Sequence, residues 1–440
     1  MHTVLLLQGP LGPFFRHFSR FLEEQGLSVH KINFNGGDGC WPCKGTNVNY
    51  TGTLPEWRHF LDNYIQTHRI DTVFCYSDCR EYHAVARQFC LSHNIRFFVF
   101  EEGYLRPHYI TLEQDGVNAH SPWYNKLDAI LPEQPTEIKK PSFDIKPNFK
   151  RRIFFAMRYY LSMQLARHKF RHYVHHRHRP YWQEATAWLK GWYTKYTHTA
   201  LDKGLQQELI DRHSGKIFLV PLQVADDFQI RTHSPFKDVA DSIRHILESF
   251  AKTENKESVL LFKHHPMDRG YTNYSALLKE ESERLGINGR VFYGFDLSLP
   301  ELYHHCKGVV TVNSTVGISA LLHLVPTITL GKALYNIPGL TSQCSLETFW
   351  DHPQTVDAKR FKQLRAFLLT HTQLNGSFYC SPKESCEHIW QHIHALMPRR
   401  SAALNQASSS PAAAPASNNP VYAQARVTTS AVHLKRPSPP

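Results

Sequence analysis

Short apolar runs rich in β-forming residues alternate with segments of helical periodicity, and this alternation restricts the fold more than any other feature of the chain. In the first half, strands are predicted at residues 3–8, 29–34, 71–76 and 96–100. In the second half, they are predicted at 217–222, 258–262, 289–293, 308–312 and 326–330. Strands and helices that alternate at this spacing form βαβ units with parallel strands. The predicted fold class is therefore α/β, with two Rossmann-like domains.

The length suits this organisation, because 440 residues exceed one ordinary core and 42% of them are hydrophobic. Composition shifts divide the chain further. We predict an N-terminal domain at 1–140, a basic aromatic helical segment at 141–205, a C-terminal domain at 206–380, a helix at 381–398 that crosses back to the first domain, and a tail at 399–440. The tail is rich in Ala, Ser, Pro and Asn, a composition typical of disorder.

Several function classes are disfavoured by composition. No uninterrupted apolar run approaches the roughly 20 residues that span a bilayer, and the N-terminus resembles a first strand more than a signal peptide. We therefore expect a cytosolic protein. Seven of its nine cysteines are predicted to be free thiols: Cys75, Cys79, Cys90, Cys306, Cys344, Cys380 and Cys386. Cys40 and Cys43 have the C-x-x-C spacing, but neither a redox nor a zinc context surrounds them. The formal net charge of +12 predicts an acidic partner.

Polar side chains follow four of the predicted strands at the point where each strand ends. In a parallel sheet, ligands bind beyond the carboxyl ends of the strands. The chain therefore predicts a site built from Glu101, Glu102 and Arg106 in the first half, and from Gln223, Asp226, Asp227, Gln229, Lys263, His265, Asn313, Ser314 and Thr315 in the second.

These clusters have two interpretations. Hydroxyls and free backbone N–H groups such as those of Ser314 and Thr315 can bind a nucleotide phosphate, and the two glutamates can serve as general acid or base. Equally, Ser and Thr are ordinary helix N-caps, either aspartate can cap the next helix, and the glutamates can lie in a solvated turn. Because several strand ends carry such clusters, we favour a nucleotide-sugar site in the second domain that faces Glu101 and Glu102 across a cleft.

The segment from residue 146 to residue 195 contains twelve Lys and Arg residues and a single acidic one, Glu184. Twelve Phe, Tyr and Trp side chains are interleaved with these charges, among them Phe154, Phe155 and Trp188. Basic helices with aromatic anchors are typical of segments that lie on an anionic membrane. Nucleic acid could use the same charge, and a solvated helix pair is the simplest alternative.

Four motifs in a fixed order resemble the bacterial capsule polysaccharide biosynthesis family, and within it the Kdo transferases of the KpsS/LipB type. They are Glu-Glu-Gly-Tyr-Leu-Arg-Pro from 101, Pro-Leu-Gln-x-x-x-Asp-x-Gln-Ile from 221, Lys-x-His-Pro from 263 and Asn-Ser-Thr-Val-Gly from 313. The resemblance covers residues 1–395 and excludes the last part of the chain.

The resemblance implies a GT-B-like architecture and retaining transfer of Kdo from CMP-Kdo to (lyso)phosphatidylglycerol, the start of the poly-Kdo linker of exported capsules. It implies that His265, Ser314 and Thr315, with Asn313 beside them, hold the CMP and that Lys263 adds charge there. Asp227 would be the catalytic carboxylate, with Asp226 competing, and Glu101 and Glu102 would have acid–base or acceptor-positioning roles. Gln223, Gln229 and Arg106 would position the substrates.

We expect no cofactor and no metal, because no D-x-D motif stands near the site. The expected partners are CMP-Kdo, an anionic phospholipid acceptor, the inner-leaflet surface of the inner membrane and other capsule proteins, but no nucleic acid. The expected location is cytoplasmic, peripheral on the inner membrane. Two alternatives stay open: a transferase that extends the Kdo linker or uses another CMP-sugar, and a non-catalytic subunit of the export machinery.

Overall fold

The computed structural model describes residues 1–134, 141–146, 148–175, 181–225 and 227–396, with residues 149, 181–189 and 192 described by their backbone alone. The strands in these ranges are β1 Thr3–Leu6, β2 Ser28–Asn33, β3 Thr46–Asn49, β4 Thr72–Tyr76, β5 Arg96–Glu102, β6 Tyr109–Gln114, β7 Ile217–Pro221, β8 Val259–Lys263, β9 Val291–Gly294, β10 Cys306–Thr311, β11 Thr327–Thr329 and β12 Gln373–Asn375.

The α-helices in the same ranges are α1 Phe14–Glu24, α2 Leu54–His68, α3 Glu81–Ser92, α4 Leu127–Ile130, α5 Phe149–Leu165, α6 Tyr181–His213, α7 Phe228–His233, α8 Val239–Ala251, α9 Ser275–Arg284, α10 Leu299–Tyr303, α11 Val316–Leu322, α12 Leu346–Asp351, α13 Ala358–His371 and α14 Pro382–Leu396. Among the described residues, no helix is long and apolar enough to cross a membrane.

Five parallel strands of the first half form a doubly wound sheet in the order β3-β2-β1-β4-β5. The sheet continues with two antiparallel strands, β6 beside β5 and β12 beside β6. Neither β6 nor β12 was predicted, and β12 comes from the far end of the described chain. The first sheet is therefore seven-stranded and is completed by residues beyond 140.

The second sheet has five strands, all parallel, in the order β11-β10-β7-β8-β9. Taken in chain order, both sheets start in the middle, add two strands on one side and then add two on the other, which is the Rossmann arrangement. The prediction of an α/β protein with two Rossmann-like, GT-B-like parts is confirmed. Both sheets belong to one compact unit, Met1–Ile393.

Each sheet is covered by helices that bury their apolar faces. In the first half, Trp57 and Leu61 of α2 pack with Val73 and Val99 of the sheet, all fully buried. In the second half, Ile243 of α8 and Trp350 of α12 pack against Phe218 and Leu260. Strands buried on both faces read as continuous apolar runs, which is why the sequence revealed most of them.

Helix α5 lies against the first half through a glycine-rich loop at residues 35–39. A Cβ on Gly36 would stand 2.3 Å from the carbonyl oxygen of Ser162, and one on Gly37 would stand 2.7 Å from the ring of Tyr159. The two glycines therefore let the helix approach the loop backbone closely. Cys40 also contacts this helix, accepting hydrogen bonds from Arg158 Nε (3.1 Å) and Ser162 Oγ (3.3 Å).

All nine cysteines are free in the structure, so the thiol prediction is confirmed. The bounds of the basic segment differ from the prediction, because α6 runs through residue 205 and ends at His213. Its last turns belong to the second half: Asp202 is buried and accepts hydrogen bonds from the backbone of Phe295 and Asp296. Helix α14 contacts the first half, where Trp390 meets Phe21. The predicted tail lies outside the described residues.

Candidate functional site

A polar cavity of about 400 Å³ lies where the carboxyl ends of strands from both sheets meet. The segments that follow β1, β4 and β5 form one wall, and those that follow β7, β8 and β10 form the other. This is the position that doubly wound sheets reserve for ligands. Ten of the twelve predicted site residues line the cavity: Glu101, Glu102, Arg106, Gln223, Asp227, Gln229, His265, Asn313, Ser314 and Thr315.

The first wall carries two adjacent carboxylates in different surroundings. Burial raises the pKa of Glu101 to about 7, although the backbone N–H of Glu102 donates to Glu101 Oε1 and opposes the shift. Glu102 forms an ion pair with Arg152 of α5, at 3.5 Å between Oε1 and Nη2. The Arg152 guanidinium also lies over the ring of Tyr379, 5.0 Å from its centroid. Glu101 can therefore exchange a proton near neutral pH, while Glu102 is held by a cation.

Arg80 follows β4 and lines the same wall, where a network of buried hydrogen bonds fixes its side chain. Its Nη1 donates to Gln8 Oε1 at 3.2 Å, and the Gln8 amide donates to Asp38 at 3.0 Å. Tyr159 of α5 donates to the same carboxylate at 2.9 Å. His83 Nδ1 donates to the Ser77 carbonyl, so its Nε2 accepts from the Gln8 backbone. Since each member is fixed by the next, the Arg80 guanidinium is pre-positioned.

The second wall is organised around Asp227, which caps helix α7. Its Oδ1 accepts from the Gln229 backbone N–H at 2.9 Å, and its Oδ2 accepts from Gln223 Nε2, also at 2.9 Å. Gln223 donates in addition to Asn313 Oδ1, and Asn313 donates to the Gln229 carbonyl. Gln223 Oε1 is buried with no hydrogen-bond partner among the described residues. The helix-cap interpretation of Asp227 is thus correct, and the same residue also lines the cavity.

His265 presents a neutral imidazole to the cavity. Burial, together with the charges of Lys263 and Arg106, lowers its pKa to about 3. Its Nδ1 accepts from the Met267 backbone N–H at 3.1 Å, which leaves the proton on Nε2. Ser314 and Thr315 belong to the same wall and lie in the loop between β10 and α11. Tyr335 donates a hydrogen bond to the Ser314 carbonyl at 2.5 Å. This wall offers neutral donors to a ligand.

Two predicted residues do not appear in the cavity wall. Lys263 ends β8 with its side chain buried, and its Nζ reaches the His264 carbonyl at 3.5 Å. Burial lowers the pKa of Lys263 to about 8, helped by the Arg269 charge. Lys263 therefore lies close enough for its charge to act on His265, but outside the residues that line the cavity. Asp226 lies outside the described residues.

The only cluster with metal-ligand chemistry in the described parts of the chain joins Cys79, His120 and His233, whose ligand atoms lie within 4.8 Å of one another. Asp78 interacts with two of these three side chains: it accepts a hydrogen bond from Cys79 Sγ at 3.3 Å and pairs with His120 Nδ1 at 3.1 Å. His233 is 3.8 Å from the thiol. Protein partners thus account for the cluster, which joins the two halves beside the cavity.

The cavity contains further residues that sequence reasoning did not assign. Arg80 follows β4 in the sequence Ser77-Asp78-Cys79-Arg80, so the rule of polar strand ends applied to it and was overlooked. Arg152 was counted among the surface charges of the basic segment, and only the packing of α5 shows that it enters the cleft. Tyr76, Tyr159, Tyr160 and Tyr379 line the cavity as well.

Two Rossmann-like sheets that share one polar cleft define an α/β protein with a ligand site between its halves. The chain belongs to the capsule polysaccharide biosynthesis protein family, whose model matches residues 71–379. The matched range contains β4 to β12 and nearly all the cavity residues.

Named relatives support the same assignment. The chain is 41% identical over 377 residues to the capsule polysaccharide export protein KpsS of Escherichia coli, covering 85% of this chain and 96% of the relative. It is 38% identical over 391 residues to the capsule polysaccharide modification protein LipB of Neisseria meningitidis serogroup B, covering 86% and 91%. Among solved structures, KpsC of Thermosulfurimonas dismutans, a beta Kdo 2,7 transferase, matches at 14% identity and a TM-score of 0.42, covering 90% of this chain and 99% of that one.

Proposed function

We propose that the protein is a retaining glycosyltransferase that moves Kdo from CMP-Kdo to (lyso)phosphatidylglycerol and so starts the linker on which capsular polysaccharide is made and exported. The observation that carries the proposal is the cavity itself. It sets a carboxyl group with a pKa near 7 opposite a wall of neutral hydrogen-bond donors. Membership of the capsule polysaccharide biosynthesis family supports a role in making the capsule. The four sequence motifs support CMP-Kdo as the sugar donor.

The second wall suits the CMP part of the donor. His265 Nε2–H, the hydroxyls of Ser314 and Thr315 and the Asn313 amide can donate to phosphate, ribose and base. Neutral donors that are already positioned need no reorganisation when charge develops on the leaving phosphate. Lys263 contributes charge from beneath this wall rather than a direct contact. Arg106 and Arg152, at the cavity edge, supply the positive charge that a metal would otherwise provide.

The first wall suits the acceptor and the proton transfer. In the reaction, the bond between the anomeric carbon of Kdo and the phosphate oxygen breaks, and CMP leaves with the electron pair. The acceptor hydroxyl oxygen forms the new bond on the face of the sugar from which CMP departs, so that the configuration is retained, and its proton passes to Glu101 acting as general base. A carboxylate whose pKa lies near the working pH is best placed for this role. Glu102, paired with Arg152, positions the acceptor.

Asp227 acts on the geometry of the donor site. Both of its oxygens accept hydrogen bonds, from Gln223 and from the Gln229 backbone. Loss of its charge would release both residues and Asn313 with them. Asp226 is the neighbouring candidate for a direct role on the donor. The lipid acceptor accords with a location on the inner face of the inner membrane, next to other proteins of capsule assembly.

The test is mass spectrometry of a fluorescent lysophosphatidylglycerol after incubation with purified protein, CMP-Kdo and EDTA. We expect one added Kdo with the wild type, little with Asp227→Asn and none with Glu101→Gln. Glu24→Gln, at an exposed carboxylate on α1, serves as the matched control. Addition to a Kdo-primed lipid alone would indicate a linker-extending enzyme, and product with another CMP-sugar alone would change the donor. No product from folded protein with any of these substrates would leave the non-catalytic subunit.

A further inference from the structure

Helix α5 exposes a stripe of large apolar side chains to solvent. Phe154 is 58% exposed, Met157 65%, Leu161 61% and Leu165 69%. At 100° per residue these four positions fall within an arc of about 80° on the helix. Single exposed apolar residues are ordinary, but four that share one helix face indicate an interaction surface.

The surroundings of this stripe are basic. Lys150, Arg151 and Arg158 are exposed on the same helix, and Arg167, Lys169 and Arg171 are exposed just after it. The sequence has no Asp or Glu between Asp144 and Glu184. An apolar helix face whose charged neighbours along the segment are all cations is complementary to a bilayer that carries anionic headgroups.

The opposite face of α5 is committed to the protein. Ala156, Tyr159 and Met163 are buried there, with Tyr159 donating to Asp38. Arg152 points to the same side and pairs with Glu102 in the cavity. The helix therefore cannot turn its apolar stripe inward without dismantling the first wall of the site.

We infer that α5 docks this protein on the surface of an anionic phospholipid bilayer, lying in the plane of the membrane with Phe154, Met157, Leu161 and Leu165 in the headgroup–acyl boundary. Charge alone would also attract nucleic acid, but phosphate contacts make no use of an exposed Phe, Met and Leu stripe. The apolar stripe is the feature that selects lipid.

A groove beside the stripe shares one lining residue, Tyr379, with the cavity. It is also lined by Lys150, Arg151, Phe154 and Phe155, among others. The groove gives a lipid acceptor a basic entry and an apolar path to the carboxylates. This use of the groove rests on the function proposed above, whereas the docking itself does not.

The experiment is co-sedimentation of the full chain with vesicles of mixed phosphatidylglycerol and phosphatidylcholine, with phosphatidylcholine vesicles as reference. We expect binding to the anionic vesicles only. The triple variant Met157→Gln, Leu161→Gln, Leu165→Gln keeps helix propensity, removes three of the four stripe side chains and leaves the groove residue Phe154 in place, so its partition coefficient should fall at least about tenfold. Lys150→Glu and Arg167→Glu should each weaken binding about fivefold or more at low salt.

The matched control is Leu91→Gln, an exposed leucine on α3, which should bind like the wild type. Leu165→Trp should strengthen binding, because Trp favours the interface, and centrifugation of this variant without vesicles separates that gain from aggregation. Wild-type binding by the triple variant, or equal binding to short RNA and to anionic vesicles, would overturn the inference. Transfer to a water-soluble acceptor, measured alongside, reports on the proposed function separately: it should survive in the triple variant.

Discussion

The two walls of the cavity have the same topology and different chemistry. Both are strand ends of sheets with the same Rossmann order. On the first wall, burial raises the pKa of a carboxyl to about 7, and a helix from outside the sheet supplies the arginine beside it. On the second, burial keeps His265 neutral, and the donors come from the sheet's own loops. Under the proposed function, the first wall carries out the proton transfer and the second binds the CMP.

The sharpest way to break this comparison is Glu101→Gln. We expect transfer to fall by about 100-fold or more, since general-base catalysis is lost, while the affinity for CMP stays within about threefold. Transfer rates and calorimetric binding of CMP measure the two quantities. In the wild type, transfer should rise with pH through about 7 as Glu101 loses its proton. A variant that keeps this rise would show that another group is the base.

A second prediction concerns stability and pH. Burial raises the pKa of Glu113, on β6, from 4.5 to about 7, so the folded state keeps a proton that the unfolded chain releases. This contribution is present below pH 4.5 and is lost as pH rises through 7, by about 3 kcal/mol in the free energy of unfolding. Urea unfolding on either side of that window should show a smaller fall in Glu113→Gln than in the wild type.

The two histidines after β8, His264 and His265, predict a pH dependence of stability with the opposite sign. Burial lowers the pKa of His264 to about 4 and that of His265 to about 3. Their contribution to stability is present above 6.5 and is lost as pH falls through the folded values. Equal falls in Glu113→Gln and in the wild type between pH 4.5 and 7 would mean that Glu113 is not the source of the loss of stability in that window.

The dependence of the first wall on α5 can be tested at Gly36→Ala. The new Cβ would meet the Ser162 carbonyl at 2.3 Å, so the helix must shift. We expect about 1–3 kcal/mol of destabilisation, together with weaker transfer because Arg152 moves. Gly204→Ala is the matched control, since nothing lies within 4 Å of its Cβ position and alanine favours the helix. Thermal unfolding and transfer rates are measured for both variants. Equal stability and equal transfer in the two would contradict the dependence of the first wall on α5.

The smallest effect is expected on the binding wall. Ser314→Ala should weaken CMP binding about fivefold to tenfold, because one donor to the phosphate is lost, and should leave the pH dependence of transfer unchanged. Ser275→Ala, an exposed serine at the start of α9, is the control. Calorimetry measures the affinity. A change in the pH profile without a change in affinity would reverse the roles assigned to the walls.

The sequence predicted the central strands because each is a buried apolar run, as β7 and β10 show. It did not predict β3, β6 or β12, whose residues become strands through their pairing partners rather than through periodicity. The site residues at strand ends were predicted by the geometry of parallel sheets. Arg152 was not predicted. Nothing in the sequence around it shows that one face of α5 borders the cavity and brings Arg152 to Glu102, about 50 residues earlier in the chain.

Lys263 is the converse case: it was predicted to belong to the site but does not line the cavity. Its position at the end of β8 predicted a contact in the cavity, but its side chain is buried, with Nζ 3.5 Å from the His264 carbonyl. Asp227 shows that the two interpretations of an aspartate after a strand are compatible: one side chain caps a helix and borders the cavity. Pairwise contacts of this kind are decided by tertiary packing.

The pairing of β12 with β6 has a consequence for the order in which the protein is made. Gln373 lies in β12, and its Oε1 accepts from the Tyr104 backbone N–H at 2.7 Å, in the loop that also carries Arg106. These residues are 269 positions apart. A ribosome must therefore pass β12 before the loop can be held in place. The first half, although translated first, can reach its working shape only after the second half has been synthesised.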